Sequence, residues 1–270
     1  MTQERFAQPI GIFDSGIGGL TVAHALAQQL PKENLIYFGD TAHLPWGNKS
    51  PETIQSYSIK IANVLLQKNC KLILIACNTA SAIAYDLVKE YVGSKARVIN
   101  VIDPFIQQLK KDHANQRIGL IGTRRTVASN VYKQKIDALN CGIELRSLAT
   151  NLLASAIEEF GNHEVIDCLL NEYLSHASLA NLDALILACT HYPVIKDKIS
   201  AYFKNKIDII DPSHAVALAV KKYLEENRLL NPNGAGEKHF YVSDYTESFA
   251  AGAKIFFTEE IKLEHYPLWD

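Results

Sequence analysis

The sequence carries no block of like charge. Its 270 residues include 27 basic and 29 acidic side chains, for a formal net charge of −2. A nucleic-acid partner leaves a basic stripe, so that class of function is excluded. Long apolar runs are missing too. Leu72 to Ala76 and Ala184 to Ala188 are among the longest, and a bilayer-spanning helix needs about 20 apolar residues. No membrane partner is expected. The first eight residues are largely polar and hold no apolar signal core, which predicts a cytoplasmic chain. Cysteine is sparse and irregularly placed, at Cys70, Cys77, Cys141, Cys168 and Cys189. No pair has the CxxC spacing of a structural zinc or thioredoxin-type site, so no metal is expected. In a reducing compartment these are free thiols. Cys70, Cys141 and Cys168 read as small buried hydrophobes.

What is present is an alternation. With 48% hydrophobic residues, a sizeable core can be buried. Short apolar segments alternate with amphipathic ones, the mark of parallel α/β sheets. Strands are predicted at Ile10 to Phe13, Leu35 to Phe38, Leu72 to Ala76, Val98 to Ile102, Ile118 to Ile121, Glu144 to Ala149, Ala184 to Ala188, Ile207 to Ile210 and Phe240 to Val242. Several are apolar throughout, as strands covered on both faces should be. A helix is well signed after Ser50: Ser50 can cap it, Pro51 suits its first turn, and Ile54, Tyr57, Ile61 and Leu65 form one face. Further helices are expected after Pro193 and after Ser213.

The chain also repeats itself weakly. Leu72-Ile-Leu-Ile-Ala-Cys77-Asn-Thr79 is echoed by Leu185-Ile-Leu-Ala-Cys189-Thr-His191. Ahead of each lies a glycine-bearing segment, Ile10-Gly-Ile-Phe-Asp14-Ser-Gly16 and Ile118-Gly-Leu-Ile-Gly122-Thr123. The repeat predicts two similar parallel-sheet α/β lobes related by pseudo-symmetry, with the active site in the cleft between them. One lobe would hold residues 1–99 plus 209–270, with Asp14 and Cys77. The other would hold 100–208, with Cys189 and His191. Ligands of open α/β sheets bind at the carboxyl ends of the strands, and both cysteines sit at such ends.

A thiol just after a strand, where a helix is about to start, meets unpaired backbone N–H groups. These lower its pKa and can also hold a carboxylate. Asn78-Thr79-Ala-Ser81 and Thr190-His191 add short hydrogen-bonding groups suited to a small charged substrate. One such thiol reads equally well as a buried core residue; two in matching places point to chemistry. Asp14-Ser15-Gly-Ile-Gly-Gly19 is neither a Walker loop, lacking Gly-Lys-Ser/Thr, nor a GxGxxG fingerprint, with Thr21 where the third glycine belongs. Asp14 can orient or deprotonate a thiol, or cap a helix. His191 can lower the pKa of Cys189 or hold substrate.

At this point a resemblance becomes specific. Asp14-Ser-Gly-Ile-Gly-Gly-Leu-Thr21, Asp40-Thr-Ala42 with Pro45-Trp-Gly47, Ala76-Cys-Asn-Thr-Ala-Ser81 and Ala188-Cys-Thr-His-Tyr-Pro193 resemble the four signature segments of the glutamate racemase family, in the family's order. Aspartate racemases share the two cysteines but usually carry an acid where His191 stands. His43 and Trp46 depart from the family's usual Arg and Tyr. The resemblance implies a cofactor-independent racemase interconverting L- and D-glutamate by two thiols, supplying D-glutamate for peptidoglycan, and a homodimer. It implies that Cys77 works on the D-enantiomer and Cys189 on the L-enantiomer, with Asp14 and His191 as their helpers. Asp14, Ser15, Trp46, Gly47, Asn78, Thr79, Thr190, His191 and Thr123 would bind the substrate. Thr126 is a further candidate, and Glu158 reads either as an acid beside the histidine or as a solvent-facing helix residue.

Two other classes compete. A thiol hydrolase would use Cys189 with His191 and would tolerate loss of Cys77. A two-lobed amino-acid-binding protein would bind glutamate without turning it over.

Overall fold

The computed structural model describes residues 5–159 and 163–269. Its strands are β1 Ile10–Asp14, β2 Leu35–Gly39, β3 Leu72–Ile75, β4 Arg97–Asn100, β5 Arg117–Gly122, β6 Glu144–Ala149, β7 Ala184–Ala188, β8 Asp208–Ile210, β9 Lys238–Val242 and β10 Leu263–His265. They form two sheets, β10-β9-β2-β1-β3-β4 and β6-β5-β7-β8. Every pairing is parallel. The order β2-β1-β3-β4 recurs as β6-β5-β7-β8, so the weak sequence repeat is a repeat of topology. It also makes β3 and β7, the strands leading into the two cysteines, equivalent.

All nine expected strands are present, with shifted ends, and β10 is an addition. β4 stops at Asn100, short of the expected Ile102. The Asn100 side chain accepts the backbone N–H groups of Ile102 and Asp103, each at 2.8 Å, and this turn starts the helix Asp103–Asp112. Asn100 pairs with Ile75, and Ile209 and Ile210 pair with β7. The sheets therefore change over after residue 100 and after residue 210, slightly beyond the expected points, 99/100 and 208/209, that would cut β4 and β8.

The burial pattern explains why these segments are strands. All five residues of β1, β2 and β7 are buried, as expected where helices cover both faces. Alternate residues feed different layers. Phe13, Phe38, Ile73 and Ile75 pack with Ile54, Ile61 and Leu65 of the helix Pro51–Gln67. Ile12, Tyr37, Leu72 and Leu74 join the core that continues into the second sheet. Ser50 Oγ accepts the Thr53 N–H at 3.2 Å, the expected cap. Helix Leu20–Gln29 packs on Ser213–Glu226 and Glu247–Phe257, so the C-terminal part of the chain covers the first sheet.

Two of the three minor cysteines are less buried than expected. Cys70 is buried, Cys141 is half-buried and Cys168 is exposed. Cys168 lies on the helix His163–Leu174, whose buried face is Ile166, Leu170 and Leu174; a residue two positions from Ile166 points away from that face.

Candidate active site

The two repeats converge on one cavity of about 30 Å³. Ser15, just after β1, enters its wall together with Cys77, Asn78 and Thr79, just after β3. Thr123 follows β5, and Cys189, Thr190 and His191 follow β7. Trp46 and Gly47 come from the loop after β2, and Glu158 from the helix Leu153–Glu158. All the expected contact residues thus meet there except Asp14, which is fully buried but not among the lining groups. Glu158 faces the histidine and not the solvent.

The turn after β1 is built around the Asp14 carboxylate, which accepts the Gly16 N–H at 3.1 Å and the Thr190 hydroxyl at 3.4 Å. Gly19 also donates its N–H to it. Burial raises the Asp14 pKa, against the opposing pull of His191 and these N–H groups. The next helix begins at Leu20 without a side-chain cap, so Asp14 serves the turn and not the cap. Gly18 has to be glycine, since a Cβ there would stand 2.5 Å from the His191 ring.

The thiols occupy equivalent places in unlike surroundings. Cys77 caps the helix Asn78–Ile83: its Sγ accepts the Ala80 N–H at 3.4 Å and donates to Ser15 Oγ at 3.6 Å. The N–H group lowers its pKa as expected, but burial and the Asp14 charge outweigh it and push the thiol up to about 12. The expectation of a depressed pKa at Cys77 is therefore corrected. No α-helix begins at Cys189; a 3-10 turn over Tyr192–Ile195 follows instead. Its sulfur lies 3.7 Å from His191 Nδ1, a weak, long contact. Burial pulls the His191 pKa down, but Cys189 and Glu158 hold it well above its ordinary 6.5. His191 Nε2 stands 3.6 Å from Glu158 Oε2, an ion-pair distance too long for a hydrogen bond. Neither Nε2 nor Glu158 Oε1 has a hydrogen-bond partner among the described residues. Buried polar atoms are normally satisfied, so these two mark the places in the wall where polar groups of a ligand can act.

Hydroxyls and amides close the cavity across the sheets. Thr79 Oγ1 lies 2.9 Å from Thr123 Oγ1 and 3.2 Å from Thr126 Oγ1. Thr126 acts through that contact and does not line the cavity. A Cβ on Gly47 would meet Thr123 Cβ at 2.7 Å, so the loop can approach the second sheet only as glycine. Sequence reasoning missed Tyr132, whose hydroxyl donates to Asn78 Oδ1 at 2.6 Å, and Tyr192, whose hydroxyl lies 2.5 Å from Thr150 Oγ1. It also missed Ser155 in the wall. Tyr192 stood inside the motif after Cys189; Tyr132 and Ser155 carry no local signal.

The set of groups defines a class. Two buried thiols, each at the end of an equivalent strand and each near an ionisable side chain, have the arrangement that a two-sided proton transfer requires. The family model for Asp/Glu/Hydantoin racemase matches residues 11–220. "Glutamate racemase 3" of Caldanaerobacter subterraneus subsp. tengcongensis is 40% identical over 260 residues, covering 96% of this chain and 93% of that protein. The glutamate racemase of Chlorobium phaeobacteroides is 39% identical, with 94% and 93% covered. The crystal structure of glutamate racemase from Francisella tularensis in complex with D-glutamate superposes with a TM-score of 0.89 at 39% identity, covering 98% of this chain and 99% of that one. The chain belongs to the Asp/Glu/hydantoin racemase family.

Proposed function

We propose that the chain interconverts L- and D-glutamate, with Cys77 and Cys189 as the two bases and no cofactor. One observation carries the reading: both thiols line a single cavity from equivalent strand ends of two sheets. A racemase must take the Cα proton from one face and return one to the other, and a lone base replaces it where it came from.

In the L-to-D direction a Cys189 thiolate takes the Cα proton and becomes the thiol. The electron pair left on Cα, delocalised into the α-carboxylate, then takes the proton of the Cys77 thiol from the opposite face. The reverse direction exchanges the two roles. An imidazolium at 3.7 Å from Cys189 Sγ stabilises the charge on that sulfur, and Glu158 keeps the imidazolium charged. The Asp14 charge adds to burial in keeping Cys77 a thiol, the form that donates in this direction, and its carboxylate holds Thr190 through a hydrogen bond. Ser15, Asn78, Thr79, Thr123 and Thr190, with Trp46 and Gly47, hold the carboxylates and the ammonium. A cavity of about 30 Å³ has room for only a water or two, so the walls part to admit glutamate.

We place the lobes at residues 1–100 plus 211–270 and 101–210, because the expected bounds of 1–99 plus 209–270 and 100–208 would cut β4 and β8. A homodimer in the cytoplasm, supplying D-glutamate for peptidoglycan, completes the reading. Its support is the similarity to glutamate racemases, and among the described residues no helix is long and apolar enough to cross a membrane. The test is circular dichroism of purified protein with pure L- or pure D-glutamate. Both should drift to zero signal, unaffected by EDTA or by omission of pyridoxal phosphate. Strict dependence on either a metal or pyridoxal phosphate contradicts the reading.

A further inference from the structure

The chain has two tryptophans, and both donate their indole N–H to one buried carboxylate. Trp46 Nε1 reaches Asp40 Oδ2 at 3.0 Å, and Trp269 Nε1 reaches Asp40 Oδ1 at 2.7 Å. Ser243 Oγ donates to Oδ1 at 2.7 Å, and His43 Nδ1 lies 3.1 Å from each oxygen. Asp40 is 0% exposed. A carboxylate so deeply buried is tolerable only because donors surround it. The donors come from the loop after β2, from the end of β9 and from the C-terminal tail.

The tail residue does more than add a donor. The Trp269 ring meets His43 edge-on at 4.5 Å and Tyr57 at 4.9 Å, with Lys60 Nζ 4.5 Å above it. His43 in turn stacks on Tyr57 at 4.3 Å. Trp269 is thus fixed in place at one end of the loop that contributes Leu44, Pro45, Trp46 and Gly47 to the cavity wall. At its other end this loop is held from the second sheet's side, where Arg125 Nε donates to Lys49 O at 3.0 Å.

We propose that Trp269 is a positioning residue of the active site: through Asp40 it fixes the Trp46 indole, and with it the segment Leu44–Gly47 that walls the substrate. It touches no substrate itself. The inference rests on the racemase reading for its kinetic readout, and on none for its spectroscopic one. It also gives the two departures from the family pattern, His43 and Trp46, a common function, since both contact Asp40.

The variant Trp269→Phe keeps an aromatic ring but removes the N–H together with part of the indole's bulk. Loss of a fixed wall weakens binding of ground state and transition state alike, so KM for glutamate should rise about tenfold while kcat changes less than about twofold. In a Trp46→Phe background the same substitution should raise KM far less, because both act through one carboxylate. Fluorine NMR of protein labelled with fluorotryptophan should show the Trp46 resonance shifted and broadened in Trp269→Phe. If Trp269→Phe folds poorly, Ser243→Ala removes another donor from the same oxygen and should move KM and the Trp46 resonance in the same sense. An unchanged KM and Trp46 resonance with a lowered Tm would make Trp269 a merely structural residue, and additive effects of the two tryptophan substitutions would contradict action through Asp40. If the unmodified protein does not racemise glutamate, the function reading fails, and the Trp46 resonance alone decides the positioning role.

Discussion

Cys77 and Cys189 end equivalent strands, yet one is a helix cap pushed up to about 12 and the other precedes a 3-10 turn, beside a histidine whose pKa is held well above its ordinary value. Topological repetition placed the sulfurs, while the side chains around them set the charges. Cys77 rests beside an anion, Asp14, and stays a thiol. Cys189 rests beside a cation. The surroundings thus favour the protonated form at Cys77 and set a cation next to Cys189, so the two sides of the cavity are electrostatically unlike.

Exchanging the thiols breaks this comparison most strongly. Cys77→Ser and Cys189→Ser should each lower racemisation by roughly 10²–10⁴-fold, the usual contribution of one acid–base group, because a hydroxyl is a far weaker acid than a thiol. Each variant keeps one thiol and should still eliminate a leaving group from a β-substituted glutamate analogue, which needs proton removal from one face only. Cys77→Ser should act on the L-like analogue and Cys189→Ser on the D-like one; the same preference in both would overturn the assignment. A hydrolase would tolerate Cys77→Ser, so that variant also separates the classes.

The helpers sharpen the comparison. His191→Asn should cost less than loss of a thiol, about 10–10²-fold, the worth of one hydrogen bond to a charged group, and on the Cys189 side; Asp14→Asn should weaken the Cys77 side by less still, because the turn loses its carboxylate contacts to Gly16 and Thr190 while the charge that raises the Cys77 pKa goes with it. The elimination assay with single-thiol proteins reads this directly: His191→Asn should slow the L-like reaction in the Cys77→Ser background and leave the D-like reaction in Cys189→Ser nearly unchanged. Gly18→Ala should disturb the second side most, by driving a Cβ into the His191 ring and against Thr190 Oγ1. Overpacking of this kind costs about 1–3 kcal/mol of stability, measurable as a lower urea midpoint.

The smallest effect is in the pH dependence of stability. The folded pKa of His191 is raised above 6.5, so its stabilising contribution is whole below that value and is lost as pH rises through the raised folded pKa. Urea midpoints of the unmodified protein should fall over that interval, and His191→Asn should flatten the fall. An unchanged slope would mean that Glu158 and Cys189 do not hold the imidazolium.

Most of the sheet was readable because strands buried on both faces are apolar throughout, as in β3 and β7. β10 escaped because Leu263–His265 is three residues long at a sheet edge, with one buried side chain and no turn signal. The site was readable wherever its residues cluster in sequence: Cys77 to Thr79 and Cys189 to His191 are each one short motif. What could not be read was made by distant partners. Tyr132 reaches Asn78 across 54 positions and Trp269 reaches Asp40 across 229. The upward shift of Cys77 was hidden for the same reason, since a motif shows the helix N-terminus that lowers a thiol pKa but not the burial that raises it. Glu158, ambiguous in sequence, was settled by the turn of its helix towards His191.

The central claim is one thiol on each face of Cα, and racemisation of L-glutamate in deuterated water tests it most directly. At early times the account predicts D-glutamate fully deuterated at Cα, because its hydrogen comes from a thiol that has exchanged with solvent, while the remaining L-glutamate keeps its protium. Product D-glutamate that retains the original protium would mean that one base carried the proton across, and would contradict the account.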